Sequence, residues 1–502
     1  MEALTDHLDA TAVTAVLLRE LSQPPLLLPP NPVAGALATH DTGIADWVCA
    51  TLGGPWFPAS EQVVATSKAR HAVRPVAIWD LPSRLAYGAL TDKLRDSLPP
   101  LERSARAWEA FQTAPLSEDY EYIVSADIAS CYQLIDHGEL AKELLTQTGD
   151  GQVVASILAL LGEVCGRSYG IPQQSAASDI LAEAFLARLE RAVIRKGLVC
   201  TRYNDDFRML CPDWSSVVRS IEVLSEEARN MGLLLNDSKV ITYRRVTYEK
   251  QLTNASHLRE EIAHEAQLDL TQLYVTYGGE AELVEPGEAE VELQSAVRVL
   301  ERWKSVAGRG SVAEARRREH MALVDLLPVA LRALRSVPED AETAIDITFQ
   351  LLRFEQPLTP HVCQFLESRT DHSAVLEGVD KFLRRSPYLT GWQAWWLGGV
   401  VSKVPGFGLG SSAKKRREWL EGTYSRATDH QVLRAHAALA LARTNMIDHA
   451  RLLALYDRTS DIARPVLVAA IAQLNPPAAT KRAVTMDSKL HAWIYDWAEN
   501  GA

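Results

Sequence analysis

The sequence predicts an α+β fold: a split βαβ unit in the first half of the chain, then an all-α helical-repeat domain. Three observations lead there. Between about residues 120 and 245, short apolar runs alternate with helical stripes, and two of the runs, "LVCTRY" and "FRMLC", are separated only by "NDD". After about residue 250 the chain consists of segments rich in Ala, Leu, Arg and Glu, such as "VLRAHAALALARTN", which read as paired helices of an irregular solenoid. The 502 residues suffice for several domains and a large core, with 47% hydrophobic and 23% charged residues.

Residues 1–62 read as a helical extension. Residues 1–23 form an amphipathic helix, which "PPLLLPPNP" (24–32) ends because proline fixes φ and lacks an N–H donor. Residues 63–250 form the mixed unit. "RPVAIWDLPSRLAYGALTDKL" combines extended and helical character, "EYIVSADI" is a strand, and "GQVVASILALLGEVCG" is a buried helix. "SDILAEAFLARLERAVIRKG" carries Leu181, Phe185, Leu189 and Val193 on one helical stripe and stops at Gly197. The Asn-Asp pair between "LVCTRY" and "FRMLC" suits a tight hairpin turn. "WSSVVRSIEVLSEEARNMG" is a helix ending at Gly232, and "LLLN" and "KVITYR" are the next strands. Residues 251–502 form the helical-repeat domain, with the acidic "ELVEPGEAEVEL" (282–293) as a linker or exposed loop.

The net charge of −12 repels polyanions, so any nucleic acid must be met by local basic surface or by metal ions. Candidate basic runs lie at Arg316–Arg318, at Lys414–Arg417 and at Arg244–Arg245; each also reads as a solvated helix face. Six scattered cysteines without a CxxC pair argue against a disulfide framework or zinc ribbon and suit a reducing cytosol. The N-terminus lacks a basic region ahead of an apolar run, and no apolar stretch reaches the roughly 18–20 residues a membrane helix needs, so a cytoplasmic protein is expected. No HExxH or paired metal spacing is present among the histidines. Three tryptophans in "GWQAWWLGG" (391–399) read as core, or as a platform on which bases stack.

The chemistry concentrates in "RYNDDFRML" (202–210). Adjacent strand residues point to opposite faces, so one of Asp205 and Asp206 is expected to aim squarely at a given point. Asp127, at the end of "EYIVSAD", is the candidate second carboxylate. Hard divalent cations take such oxygen ligands together with substrate phosphates, and two ions a few Å apart can activate a hydroxyl and stabilise a leaving pyrophosphate.

"SADIASCYQLIDH", "YGIPQQSAASDILAEAFL", "RYNDDF" and "MGLLLNDSKV" resemble, in this order, motifs A to D of reverse transcriptases, and "RPVAIWDLPSRLAYGAL" resembles their finger region. The resemblance covers roughly residues 70–245. It implies a right-hand polymerase palm and fingers, and two Mg²⁺ or Mn²⁺ ions on Asp127, Asp205, Asp206 and the backbone carbonyl of Ile128. It also implies that Tyr132 is the aromatic gate against a ribose 2′-hydroxyl, or else fills a core, that Gln173 lies near the incoming nucleotide, and that Lys239 meets the leaving pyrophosphate or solvent. Arg74 and Arg84 resemble finger residues that clamp the triphosphate; Arg244 and Arg245 are candidates for primer or product contact. The family carries glycine after the motif B glutamine, where this chain has Gln174. Ser175 or Ser178 is a candidate cap of the helix that follows.

A palm followed by a helical domain in place of a thumb resembles the abortive-infection and "unknown group" reverse transcriptases of bacterial antiphage defence. Members of that group make DNA from deoxynucleoside triphosphates, in several cases without a conventional template and sometimes on a protein hydroxyl. Some are trimers or hexamers, and some use a non-coding RNA. The first 86 residues contain no tyrosine, so a tyrosine primer near the N-terminus is not expected; one elsewhere, such as Tyr243, Tyr248 or Tyr424, or a serine or threonine, stays open. Two other readings stay open at this point: an ordinary RNA-templated reverse transcriptase, and an idle palm serving as scaffold or sensor.

Overall fold

The computed structural model describes residues 7–68, 72–277, 287–307, 314–335, 342–385, 388–405, 411–426 and 430–501. The amino-terminal extension forms α1 (Ala10–Ser22), α2 (Ala34–Thr39) and α3 (Asp41–Leu52). Asp9 caps α1 by accepting from the Ala12 N–H at 2.8 Å, which satisfies one of the donors a helix start leaves free. A two-stranded hairpin follows, β1 (Gln62–Ser67) and β2 (Val73–Ile78), and then α4 (Leu81–Leu94), whose N-cap Asp80 is buried. Helix α1 packs on α4 at Gly88, where a Cβ would come within 2.5 Å of Val16 Cγ1; only the bare glycine allows that approach.

After α5 (Ala105–Thr113) comes the mixed unit: β3 (Tyr122–Asp127), α6 (Cys131–Leu134), α7 (His137–Thr148), α8 (Gly151–Cys165), α9 (Ala176–Arg195), β4 (Val199–Tyr203), β5 (Asp206–Cys211), α10 (Trp214–Asn230) and β6 (Ile241–Arg244). The four strands form one antiparallel sheet in the order β4-β5-β3-β6. Helices α9 and α10 pack against the sheet and against each other, and their apolar stripes bury Leu181, Phe185, Leu189, Val217 and Leu224. Both end where expected, at Gly197 (φ 78°) and Gly232 (φ 76°). "LLLN" is not a strand. Only Leu235 pairs, in a single bridge to Ile128, because the chain then turns into the short 3₁₀ segment Asp237–Lys239 before β6.

The long helix α11 (Arg245–Tyr277) leaves the sheet directly. The helical half continues as α12 (Glu288–Ala307), α13 (Glu314–Arg335), α14 (Glu342–Phe354), α15 (Thr359–Glu367), α16 (Ser373–Arg384) and α17 (Gly391–Lys403). It ends with α18 (Ser411–Ser425), α19 (Gln431–Arg443), α20 (His449–Tyr456), α21 (Arg464–Ala472), α22 (Ala478–Thr485) and α23 (Lys489–Glu499). From α12 to α18 and from α13 to α23 alternate helices stack, so α13, α15, α17, α19, α21 and α23 form one layer and α12, α14, α16 and α18 another. This is the helical-repeat arrangement read from the sequence. Residues 282–286 of the acidic stretch, and the side chains of Arg316–Arg318, lie outside the described residues.

Two readings of this half resolve in favour of packing. Trp392, Trp395 and Trp396 are 1%, 6% and 1% exposed, so they are core and not a stacking platform. The indole N–H groups of Trp392 and Trp396 donate to the Leu27 carbonyl at 2.6 and 3.2 Å, which anchors the proline-rich loop of the extension. In the run at 414–417, Lys414, Lys415 and Arg417 are exposed, but Arg416 is buried in an ion pair with Asp380 of α16. The extension and the hairpin tie the two halves together. His40 stacks on Trp493 of α23, Gln62 donates to Gln431 at 2.9 Å, and α17 covers the edge strand β1, which shields its unpaired backbone.

Candidate active site

Asp127 closes β3 and stands directly opposite Asp206 on β5. Directly opposed residues of antiparallel strands share a face. Asp205 occupies the two-residue turn between β4 and β5, preceded by Asn204 at φ 54°, a conformation asparagine tolerates better than most residues. The sequence reading expected one carboxylate of the pair to point away. Asp205 lies in the turn, not on a strand, so strand alternation does not apply to it. Carboxylate oxygens of Asp127, Asp205 and Asp206 lie within 4.8 Å of one another. The Ile128 N–H donates to the Asp205 carbonyl at 3.0 Å and pins the strand end to the turn.

Asp127 is 4% exposed and both its oxygens are held: Lys239 Nζ donates to Oδ1 at 2.7 Å and Asn236 Nδ2 to Oδ2 at 3.1 Å. Asn236, unremarked in the sequence, also binds the Asp127 carbonyl through its own N–H at 2.8 Å. Burial, then the charge of Asp127, pushes the Asp205 carboxyl up. Burial, then Asp205 and Asp127, pushes Asp206 up to about 6. Lys239 and the exposed Lys68 at the end of β1 both act on Asp205 as compensating charges. Three hard oxygen donors crowded together, with two of them pushed up from the ordinary aspartate value by burial and by one another, fit a divalent cation such as Mg²⁺.

The turn that carries Asp205 rests on a buried network. Arg202, with its side chain 4% exposed, pairs with Glu183 and with Glu190 at 3.2 Å, and donates from Nη1 to the Asn204 carbonyl at 3.0 Å. Replacing Arg202 with methionine leaves Glu183 partly buried without its cation and the turn without its donor. A loss of roughly 3 kcal/mol is expected, read as a lower urea midpoint at unchanged slope.

The remaining candidates are dispersed. The Tyr132 hydroxyl bonds to Asp179 and Arg103, both at 2.6 Å. Gln173 and Arg84 share a cavity of about 450 Å³ between α1, β2, α4, the loop before α9 and helices α17, α19 and α21, and Asp127, Asp205 and Asp206 are not among its lining residues. Arg84 is paired there with Glu20 at 2.7 Å. Arg74 is half-buried on β2 with no side-chain hydrogen bond or ion pair among the described residues. Arg244 is exposed, whereas Arg245 is committed to Asp119 and to the Leu116 and Glu118 carbonyls before β3. Ser175 holds the N-cap position of α9 without a side-chain cap bond, and Ser178 bonds instead to Tyr87 at 2.9 Å. Tyr248 and Tyr424 are buried with their hydroxyls on the Gln112 and Arg451 carbonyls, which makes them poor primers; Tyr243 is half-buried.

Gln174 has φ 62°. The backbone thus keeps the left-handed conformation that glycine would take, with a side chain that costs about 1 kcal/mol there. Its side chain is exposed. Gln174→Gly is expected to stabilise the protein by up to about 1 kcal/mol, since the relieved strain outweighs the added freedom of the unfolded chain. The check is the chemical-denaturation midpoint, which should rise.

With this geometry, residues 67–258 match the family of reverse transcriptases (RNA-dependent DNA polymerases). The chain carries a reverse transcriptase domain, of palm-and-fingers fold, followed by an all-α region. No curated protein matches. Among solved structures, a telomerase from Candida albicans in complex with a fragment of telomeric RNA is similar at 10% identity and TM-score 0.29, over 66% of this chain and 62% of that one. An apo telomerase from Candida tropicalis is similar at 10% identity and TM-score 0.29, over 72% of this chain and 68% of that one. No helix among the described residues is long and apolar enough to cross a membrane.

Proposed function

We propose that the protein is a DNA polymerase of the defence-associated reverse transcriptase kind, adding deoxynucleotides to a 3′-hydroxyl or to a protein hydroxyl. The observation that carries this is the convergence of Asp127, Asp205 and Asp206 at one strand end and one turn, with carboxylate oxygens within 4.8 Å. Those three residues, with the Ile128 carbonyl, would hold two divalent cations. Bound there, the ions supply Lewis-acid activation of the attacking hydroxyl and neutralisation of the leaving pyrophosphate. Lys239 sits at the site with a proton to give to the leaving group, and Lys68 and Arg74, on the β1–β2 hairpin, offer charge to the triphosphate.

The helical double layer that follows α11 supports the defence-associated reading. So does the net charge of −12, which suits an enzyme that does not grip long duplex. A cytoplasmic trimer or hexamer, acting with or without a non-coding RNA, belongs to the same proposal.

The test is labelled-nucleotide transfer with Mg²⁺, each deoxynucleotide, and RNA present or absent, resolved before and after protease. Label that stays on protein without template supports the proposal in full. Label that depends on added template and primer makes this a conventional reverse transcriptase. Phage protection that survives Asp205→Asn with Asp206→Asn makes the domain a scaffold.

A further inference from the structure

We propose that Arg103 and Asp179 set sugar selection in this polymerase by clamping the Tyr132 phenol from both sides. The inference rests on the polymerase reading and on Tyr132 as the ring that meets the incoming sugar. Tyr132 lies on α6, directly after Ser130 turns the chain at φ 48° beyond the end of β3. Its ring is half-buried against the core. Its hydroxyl donates to Asp179 Oδ1 at 2.6 Å and accepts from Arg103 Nη2 at 2.6 Å, and Arg103 Nη1 closes the triangle on Asp179 at 2.9 Å. A phenol has one proton to give and a lone pair to offer; here both are engaged by charged groups.

Two consequences follow for a sugar placed against this ring. The ring cannot turn aside without breaking two charge-assisted hydrogen bonds, which are the stronger kind. The hydroxyl also has no proton left to greet a 2′-hydroxyl. A ribonucleotide thus meets a ring held in place that offers its 2′-oxygen no donor, while a deoxynucleotide lacks the group that collides. A tyrosine that only fills a core needs one partner for its hydroxyl. This one is held by two of opposite charge, with side chains 30% and 23% exposed, on segments far apart in the chain.

The clamp is also joined to the catalytic turn. Asp179, Glu183 and Glu190 recur on α9 at helical spacing. Glu183 acts on the Arg103 charge and pairs with Arg202, which holds the Asn204 carbonyl next to Asp205. One helix face therefore registers the gate and the carboxylates against each other.

The experiment is single-nucleotide addition by the full chain with deoxy- and ribonucleoside triphosphates, read as the ratio of the two kcat/KM values. Tyr132→Ala removes the ring and should erase most of the discrimination. Tyr132→Phe, Arg103→Leu and Asp179→Asn should each lower it by about tenfold, mainly through faster ribonucleotide use. Tyr132→Phe with Arg103→Leu should be no worse than either alone, since both break the same link; Arg103→Lys should recover part of the ratio. Tyr132→Phe keeps the packed ring and decides the matter if Arg103→Leu fails to fold. If Tyr132→Ala loses discrimination while the three milder variants keep the wild-type ratio, the clamp is wrong and the gate stands. A wild-type ratio in Tyr132→Ala overturns gate and clamp together. No incorporation by the wild type under any condition overturns the polymerase reading and this inference with it.

Discussion

Asp205→Asn is expected to abolish nucleotide incorporation and, at the same time, to raise the melting temperature of the metal-free protein. The two effects have one cause. Three carboxylates with oxygens within 4.8 Å of one another repel, and burial removes the water that would screen them. Lys239 offsets part of this by holding Asp127, and Asn236 takes the other oxygen. Asparagine at 205 keeps the volume and removes one charge, which relieves about 1–2 kcal/mol of repulsion. It also removes a ligand that a cation needs, so activity should fall on the order of 1,000-fold. A scaffold whose aspartates merely cap a turn makes the opposite forecast, with stability lost and any activity elsewhere untouched. Incorporation kinetics and a thermal melt in chelator, run on the same preparation, separate the two. Parallel loss of both quantities would sink the catalytic assignment.

The carboxylate cluster was legible because its determinants are local. Asp127 ends an apolar strand, and Asp205–Asp206 sit where two short strands must turn, so the carboxylates can be located without knowing what surrounds them. The supports of the site were not legible, because they depend on contacts between distant segments. Arg202 stands beside the aspartates in sequence, yet its partners Glu183 and Glu190 come from the preceding helix. The acidic spacing on α9 was readable as a stripe, but only packing decides that it faces Arg103 and Arg202 and not water. The partners of Arg84 and Arg245 were hidden for the same reason. A finger-region arginine and one that follows the palm look free in sequence, and the fold gives them to Glu20 and to backbone carbonyls before β3. The tryptophans at 392–396 went the other way, since helical spacing alone already favoured burial. Gln174 shows a further limit: the backbone holds a glycine-like conformation that its side chain does not favour, and nothing local in the sequence announces it.

Divalent cation should stabilise the protein more at about pH 7.5 than at about pH 5. The Asp206 carboxyl stands near 6 in the folded chain against an ordinary value of 3.8, raised first by burial and then by Asp205 and Asp127. Between those two pH values the folded protein holds a proton that the unfolded chain has released. Stability therefore falls as pH rises from about 4 to about 6, and above that range the full penalty remains, on the order of 2–3 kcal/mol. Asp205, raised in the same direction, adds to it. A bound cation removes the repulsion at neutral pH, whereas at pH 5 it must first displace the proton that already relieves it, and so gains less. Melting temperatures with Mg²⁺ and with chelator at the two pH values measure the difference directly. Asp206→Asn should flatten it, because the group that titrates is gone. A cation shift of equal size at both pH values, or one that persists when Asp127, Asp205 and Asp206 are all asparagine, would mean that the ion binds elsewhere on this acidic chain and that the three carboxylates are not its site.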